Sequence, residues 1–152
     1  NYNCPGQIVI TGEAAAVAEA GTALKEAGAR RVLPLKVSGP FHSPMMRPAG
    51  EELAKVFAGV SMNPLKVPYV ANINAEVITD CGRIEGLLVD QVSGSVHWQQ
   101  SVETMLRESV DTFVEIGPGK TLTGFLRKID KNVKAYHIGS WEEAVQVCEE
   151  LK

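Results

Sequence analysis

Cysteine is scarce and scattered. Cys4, Cys81 and Cys148 stand far apart in 152 residues, and an odd, dispersed set fits reduced thiols rather than a disulfide framework. With His42, His97 and His137 they form no metal-ligand spacing, which argues against a zinc site. Long apolar runs are missing as well. Nothing approaches the roughly 18 residues that a membrane-spanning helix needs. Positive charge is not in surplus: 15 Lys and Arg face 18 Asp and Glu, so there is no general pull toward nucleic acid or an anionic membrane. The first residues carry neither the basic region nor the cleavage pattern of a signal peptide. These absences lead us to expect a cytoplasmic protein without a metal cofactor.

What is present is globular. A hydrophobic share of 45% with 22% charged residues argues against disorder, and the length suffices for one ordinary domain. The chain begins without Met, and Asn3-Cys4-Pro5-Gly6 reads as a turn leading into a strand, Gln7–Thr11. A turn of that kind implies a strand before it, so the N-terminus reads as cut rather than natural.

From there the pattern alternates. Glu13 to Ala27 is alanine-rich, with Val17, Ala20 and Leu24 at helical spacing and Gly28 as its stop. Arg31–Val37 alternates like a second strand. Helices are predicted over about Pro48–Ala58 (apolar Leu53, Val56, Phe57, Val60), Arg83–Val92, Trp98–Glu108, Lys120–Ile129 and Trp141–Leu151. Strands are predicted at Val67–Ala71, Thr112–Ile116 and Val133–Ile138. Strands alternating with helices indicate an α/β protein with a parallel, helix-covered sheet. A boundary falls near Ser38, dividing residues 1–38 from 39–152.

Val37 to Pro48 interrupts this pattern with Pro40, Pro44, Pro48 and Gly39. Each proline fixes its own φ and pushes the preceding residue out of the helical region, so the loop is stiff and bent. At its centre lies Phe41-His42-Ser43. Histidine is suited to proton transfer near neutral pH, and a base works only when its position is held. A structural histidine bonded to a backbone carbonyl has the same residue type. Spacing does not separate the two.

Three stretches in order carry a resemblance: Asn1 to Gly12, Gly39-Pro40-Phe41-His42-Ser43, and Glu115-Ile116-Gly117-Pro118-Gly119-Lys120-Thr121-Leu122-Thr123-Gly124. The chain resembles the C-terminal half of bacterial malonyl-CoA:acyl carrier protein transacylases along essentially its whole length. The resemblance implies that residues 1–38 are the last β-α-β of a ferredoxin-like small subdomain. Residues 39–152 would be the C-terminal part of an α/β-hydrolase-like parallel-sheet subdomain. It implies malonyl transfer from malonyl-CoA to the phosphopantetheine thiol of acyl carrier protein, through a serine ester, in fatty acid biosynthesis. His42 would be the catalytic base. A backbone carbonyl at His97 would orient it, and Phe41 and Asn3 would contact substrate. The implied partners are acyl carrier protein, a coenzyme A thioester and the missing N-terminal half of the enzyme.

The sequence departs from that pattern in its nucleophile. The family's serine lies in a Gly-x-Ser-x-Gly elbow, and this chain contains none. A non-catalytic carrier-protein- or CoA-binding module is therefore the competing expectation. Position 97 holds His where relatives often hold Gln, so its imidazole is either a supporting group or an ordinary loop residue. Phe41 either walls the pocket or packs under the loop. Gly119-Lys120-Thr121 suggests a phosphate loop, but the Walker pattern needs Gly at position 114, which is Val114. Lys120, Arg127, Lys128, Lys131 and Lys134 form a basic concentration, read either as a solvated face or as a docking surface for an acidic carrier protein.

Overall fold

A computed structural model describes residues 1–152 as a mixed α/β chain whose strands pair only two by two. β1 (Tyr2–Cys4) and β2 (Gln7–Ile8) form an antiparallel hairpin, so a strand does precede the Pro5-Gly6 turn. α1 (Ala14–Glu26) follows, capped by the Glu13 carboxylate, which accepts from Ala16 N at 2.9 Å. Leu24, expected on its inner face, is exposed.

The strand expected at Arg31–Val37 is not formed. The segment enters no ladder, and Leu33, Leu35 and Val37 are 66%, 60% and 64% exposed. Alternation reports two faces of an extended chain, but a strand also needs a hydrogen-bonding neighbour, and β1–β2 does not supply one.

Past the stiff loop around His42, a short 3-10 turn (Pro44–Met46) leads into α2 (Arg47–Phe57). Leu53 and Phe57 are half-buried, whereas Val56 and Val60 of the expected stripe are exposed. The contact is made instead through Gly50. Its buried backbone lies so close to the next helix that an added Cβ would stand 3.1 Å from Val89 O. That helix is α3 (Ile84–Ser93), preceded by a small antiparallel hairpin, β3 (Tyr69–Val70) with β4 (Val77–Ile78). α4 (Trp98–Arg107) buries Ser101, Val102 and Thr104.

The chain ends in a βαβα unit: β5 (Thr112–Ile116), α5 (Thr121–Ile129), β6 (Lys134–Ile138) and α6 (Trp141–Glu150). β5 and β6 pair in parallel from Thr112↔Lys134 to Ile116↔Ile138, so the expected parallel sheet is limited to two strands here.

Ile78, Val102, Cys4, Leu126, Ala71 and Val147 are the buried apolar residues, among only 12 buried in all. The accessible surface is 10624 Å². A compact monomer of this mass would expose roughly 7,500 Å². The chain thus leaves a large apolar area uncovered.

Candidate functional site

The stiff loop delivers His42 to the end of α3. Because Gly50 lets α2 press against α3, the residues just before α2 come alongside the last turn of that helix. The loop is closed locally by Ser43, 4% exposed, whose Oγ donates to Pro40 O at 2.7 Å while its carbonyl accepts from Met46 N at 2.9 Å. Between those anchors His42 adopts φ 60°, in the left-handed region. A non-glycine residue is strained there and is kept there only by its surroundings.

His42 Nδ1 lies 3.1 Å from Gln91 O. A carbonyl can only accept, so in this contact Nδ1 carries a proton, and in the neutral ring Nε2 keeps the free lone pair. Gln91 O belongs to the last turn of α3, where carbonyls lack helical donors and the partial charge is negative. No basic side chain of α3 itself competes for that end. Whenever the ring is neutral, this contact defines its tautomer and leaves Nε2 as the nitrogen that can take up a proton.

The carbonyl on His42 is therefore that of Gln91 and not that of His97, the position expected to supply it. His97 O accepts from Ser101 N at 2.8 Å, inside α4. A backbone acceptor has no residue-type signature. The one available signal was the position of Gln91 in the last turn of a predicted helix.

His97 takes a different place. It precedes α4, its amide donates to Asn72 O at 2.8 Å, and its ring stacks on Tyr2 with centroids 5.2 Å apart. Tyr2 N also donates to Val96 O at 2.8 Å, tying the first hairpin to the 94–97 loop. Asn3 follows at the irregularity between the Tyr2↔Ile8 and Cys4↔Gln7 pairs. Bulges of this kind re-aim a side chain. Phe41 is half exposed, with its ring edge against Gly39, so it is a loop aromatic and not a core residue.

The Gly117-Pro118-Gly119 turn is built differently from a phosphate loop. Gly117 and Gly119 hold φ 137° and 87°, values open to glycine, and let β5 pass tightly into α5. Two of the first amides of α5 are already occupied. Glu115 accepts from Leu122 N (3.0 Å), Thr123 N (2.7 Å) and Thr123 Oγ1 (2.6 Å). Desolvation pushes the Glu115 carboxyl up, but the Thr123 and Leu122 donors and nearby His137 outweigh it and hold it below the usual range.

His137 pairs across the sheet with Glu115, its Nε2 donating to Gly117 O at 3.0 Å. Its Nδ1 stands 3.5 Å from the Glu143 carboxylate at the start of α6. Glu143 also sits below the usual range, held chiefly by the Gly139 amide against desolvation, with His137 and Lys120 assisting. Of the basic concentration, Lys120 and Arg127 line a cleft of about 240 Å³ with His137, Glu143 and Glu150, while Lys128, Lys131 and Lys134 point to solvent.

No family model matches the chain. Individual proteins do. It is 40% identical over 152 residues to the malonyl CoA-acyl carrier protein transacylase of Bacillus subtilis, covering all of this chain and 48% of that one. The crystal structure of the Streptococcus pneumoniae enzyme superposes with a TM-score of 0.93 at 43% identity, over 99% of this chain and 49% of that one. A malonyl-transacylase solved with its holo type II PKS acyl-carrier protein matches with a TM-score of 0.87 and 35% identity, over 91% of this chain and 45% of that one. The chain spans about half the length of the curated relatives it matches.

Proposed function

We propose that this chain, homologous over its whole length to about half of the malonyl CoA-acyl carrier protein transacylases, supplies the catalytic base of such an enzyme. The assembled protein would transfer malonyl groups from malonyl-CoA to the phosphopantetheine thiol of acyl carrier protein during cytosolic fatty acid synthesis. The observation that carries this reading is the strained, tautomer-defined His42 with its Nε2 unengaged by Gln91.

In the first half-reaction a serine hydroxyl from the remaining part of the protein attacks the thioester carbonyl. The serine proton passes to His42 Nε2, the C–S bond breaks, and the departing sulfur takes the proton as coenzyme A leaves. In the second, His42 Nε2 takes the pantetheine thiol proton as sulfur attacks the serine ester, and returns it to the serine oxygen. The imidazolium formed in each step faces the negative end of α3. No further cofactor is needed.

The same reading assigns Phe41 to the pocket wall beside the base and leaves Asn3, on the bulged strand, facing substrate. Residues 1–38 would complete a ferredoxin-like small subdomain and residues 39–152 the larger hydrolase-like one. The uncovered strip of Leu33, Leu35 and Val37 supports that division, since a strand from the other half would bury it. Lys128, Lys131 and Lys134 are free to meet an acidic carrier protein.

The test is acylation followed by intact mass. The 152-residue chain incubated with malonyl-CoA stays unmodified, and adding the serine-bearing half restores one malonyl group per complex. Stable stoichiometric acylation of the chain alone would contradict the assignment of the nucleophile to the other half. Binding of both substrates without acylation by the assembled pair would favour a non-catalytic module.

A further inference from the structure

The carbonyl that meets His42 sits on a residue whose side chain is also engaged. α3 ends at Ser93, and among its last carbonyls Asp90 O is taken by Gly94 N at 2.8 Å. Gln91 O is taken by His42. The Gln91 side chain then folds forward over the helix end, and its Nε2 donates to both Gly94 O and Ser95 O at 3.2 Å. Both partners are acceptors, so the nitrogen and not the oxygen of the amide must face them. Gln91 Oε1 is left buried with no partner. An apolar side chain would avoid that cost, so packing alone does not account for an amide here.

We infer that the Gln91 side chain is a positioning residue, clamping the end of α3 so that its own carbonyl stays on His42 Nδ1. The clamp rests on reading His42 as the base. It joins residue 91 to residues three and four places on, closing the helix end where no further turn can do so. The 94–97 loop it grips is anchored in turn by Tyr2 N on Val96 O and by His97 N on Asn72 O. The peptide carrying the Gln91 carbonyl is thus tied on its far side to two other elements. Without the clamp the carbonyl swings toward water, and the His42 tautomer is no longer dictated.

Side-chain substitutions leave the backbone carbonyl in place, which makes the claim testable apart from the carbonyl contact. Gln91→Met keeps length and volume but has no donor. Gln91→Glu keeps the shape, and its carboxylate offers no N–H to the two carbonyls. Nitrogen-15 spectra of the histidines in the 152-residue chain read the tautomer directly. In the parent, His42 is the Nδ1–H form. In both variants the ratio of Nδ1–H to Nε2–H at His42 falls about 5-fold, the worth of one ordinary hydrogen bond. The His137 signals, set by Gly117 O, do not move and serve as the check on folding. An unchanged ratio in folded variants overturns the clamp while leaving His42 as base intact. A parent chain lacking the Nδ1–H form overturns the carbonyl contact, and the base assignment with it. Should both variants unfold, hydrogen exchange of the parent decides: the Gln91 amide protons are protected if the clamp exists, and exchange at the rate of a free glutamine if it does not.

Discussion

At the scale of single residues, the site turns on what a side chain is next to and on the backbone beneath it. His42 differs from His97 and His137 in its φ of 60°, a strain that Ser43 and Pro40 maintain. Phe41 shares that loop. Its half-exposed ring lies beside Gly39 in a loop stiffened by Pro40 and Pro44, and in the proposed enzyme it would fill the space that an α-methyl group on the acyl chain needs. Phe41→Ser in the intact protein should therefore raise methylmalonyl-CoA use relative to malonyl-CoA. One methyl group is worth about 1–3 kcal/mol of discrimination, a shift of roughly 10- to 200-fold. The ratio of the two kcat/KM values measures it and cancels any general loss of active protein. An unchanged ratio would mean that the ring faces away from substrate.

Among the elements, the turn from β5 to α5 carries a charge arrangement of its own. Glu115 acts as an N-terminal cap from the preceding strand, satisfying three donors of α5, and its folded carboxyl is held below the usual carboxylate range. A lowered folded pKa contributes stability that is present above the unfolded pKa and is lost as pH falls through the folded one. Glu115→Gln should accordingly cost about 1 kcal/mol at neutral pH, as loss of a cap does. The gap to the parent should close as pH drops below about 4.5. Thermal unfolding at a series of pH values follows it, and a gap that widens on acidification would contradict the assignment. Elements were also where the sequence was most legible. Thr112–Ile116 forms the strand that its pattern predicts, and α2, α4, α5 and α6 begin or end within a residue or so of their expected bounds. Two failures have physical causes. β4 is two residues long, too short to show a period, and Arg31–Val37 has the alternation of a strand without a neighbour to bond. The His42 loop was legible because proline and glycine announce themselves. Gln91 was not, because every residue has a carbonyl.

For the whole molecule, an unusually open chain goes with a sequence that contains no Gly-x-Ser-x-Gly elbow. The surface exceeds that of a compact protein of this mass by roughly 3,000 Å², an area in the range of permanent interfaces. Ile8, Ile10, Leu33, Leu35 and Val37 lie exposed on the same N-terminal segment that forms no shared sheet. Completion by the remainder of a longer protein, as proposed, would supply both a nucleophile for His42 and a neighbouring strand for the exposed 31–37 segment. That makes His42 the central claim, and single-turnover acylation tests it most directly. In the intact protein, the rate of malonyl-enzyme formation from malonyl-CoA is followed by rapid quenching and intact mass, for the parent and for His42→Ala. If His42 is the base, the variant acylates 10²–10⁴-fold more slowly, the usual contribution of a general base, while thermal stability changes little. A variant that acylates at the parent's rate per folded molecule, with its unfolding temperature sharply lowered, would show His42 to be a structural residue and would contradict the account.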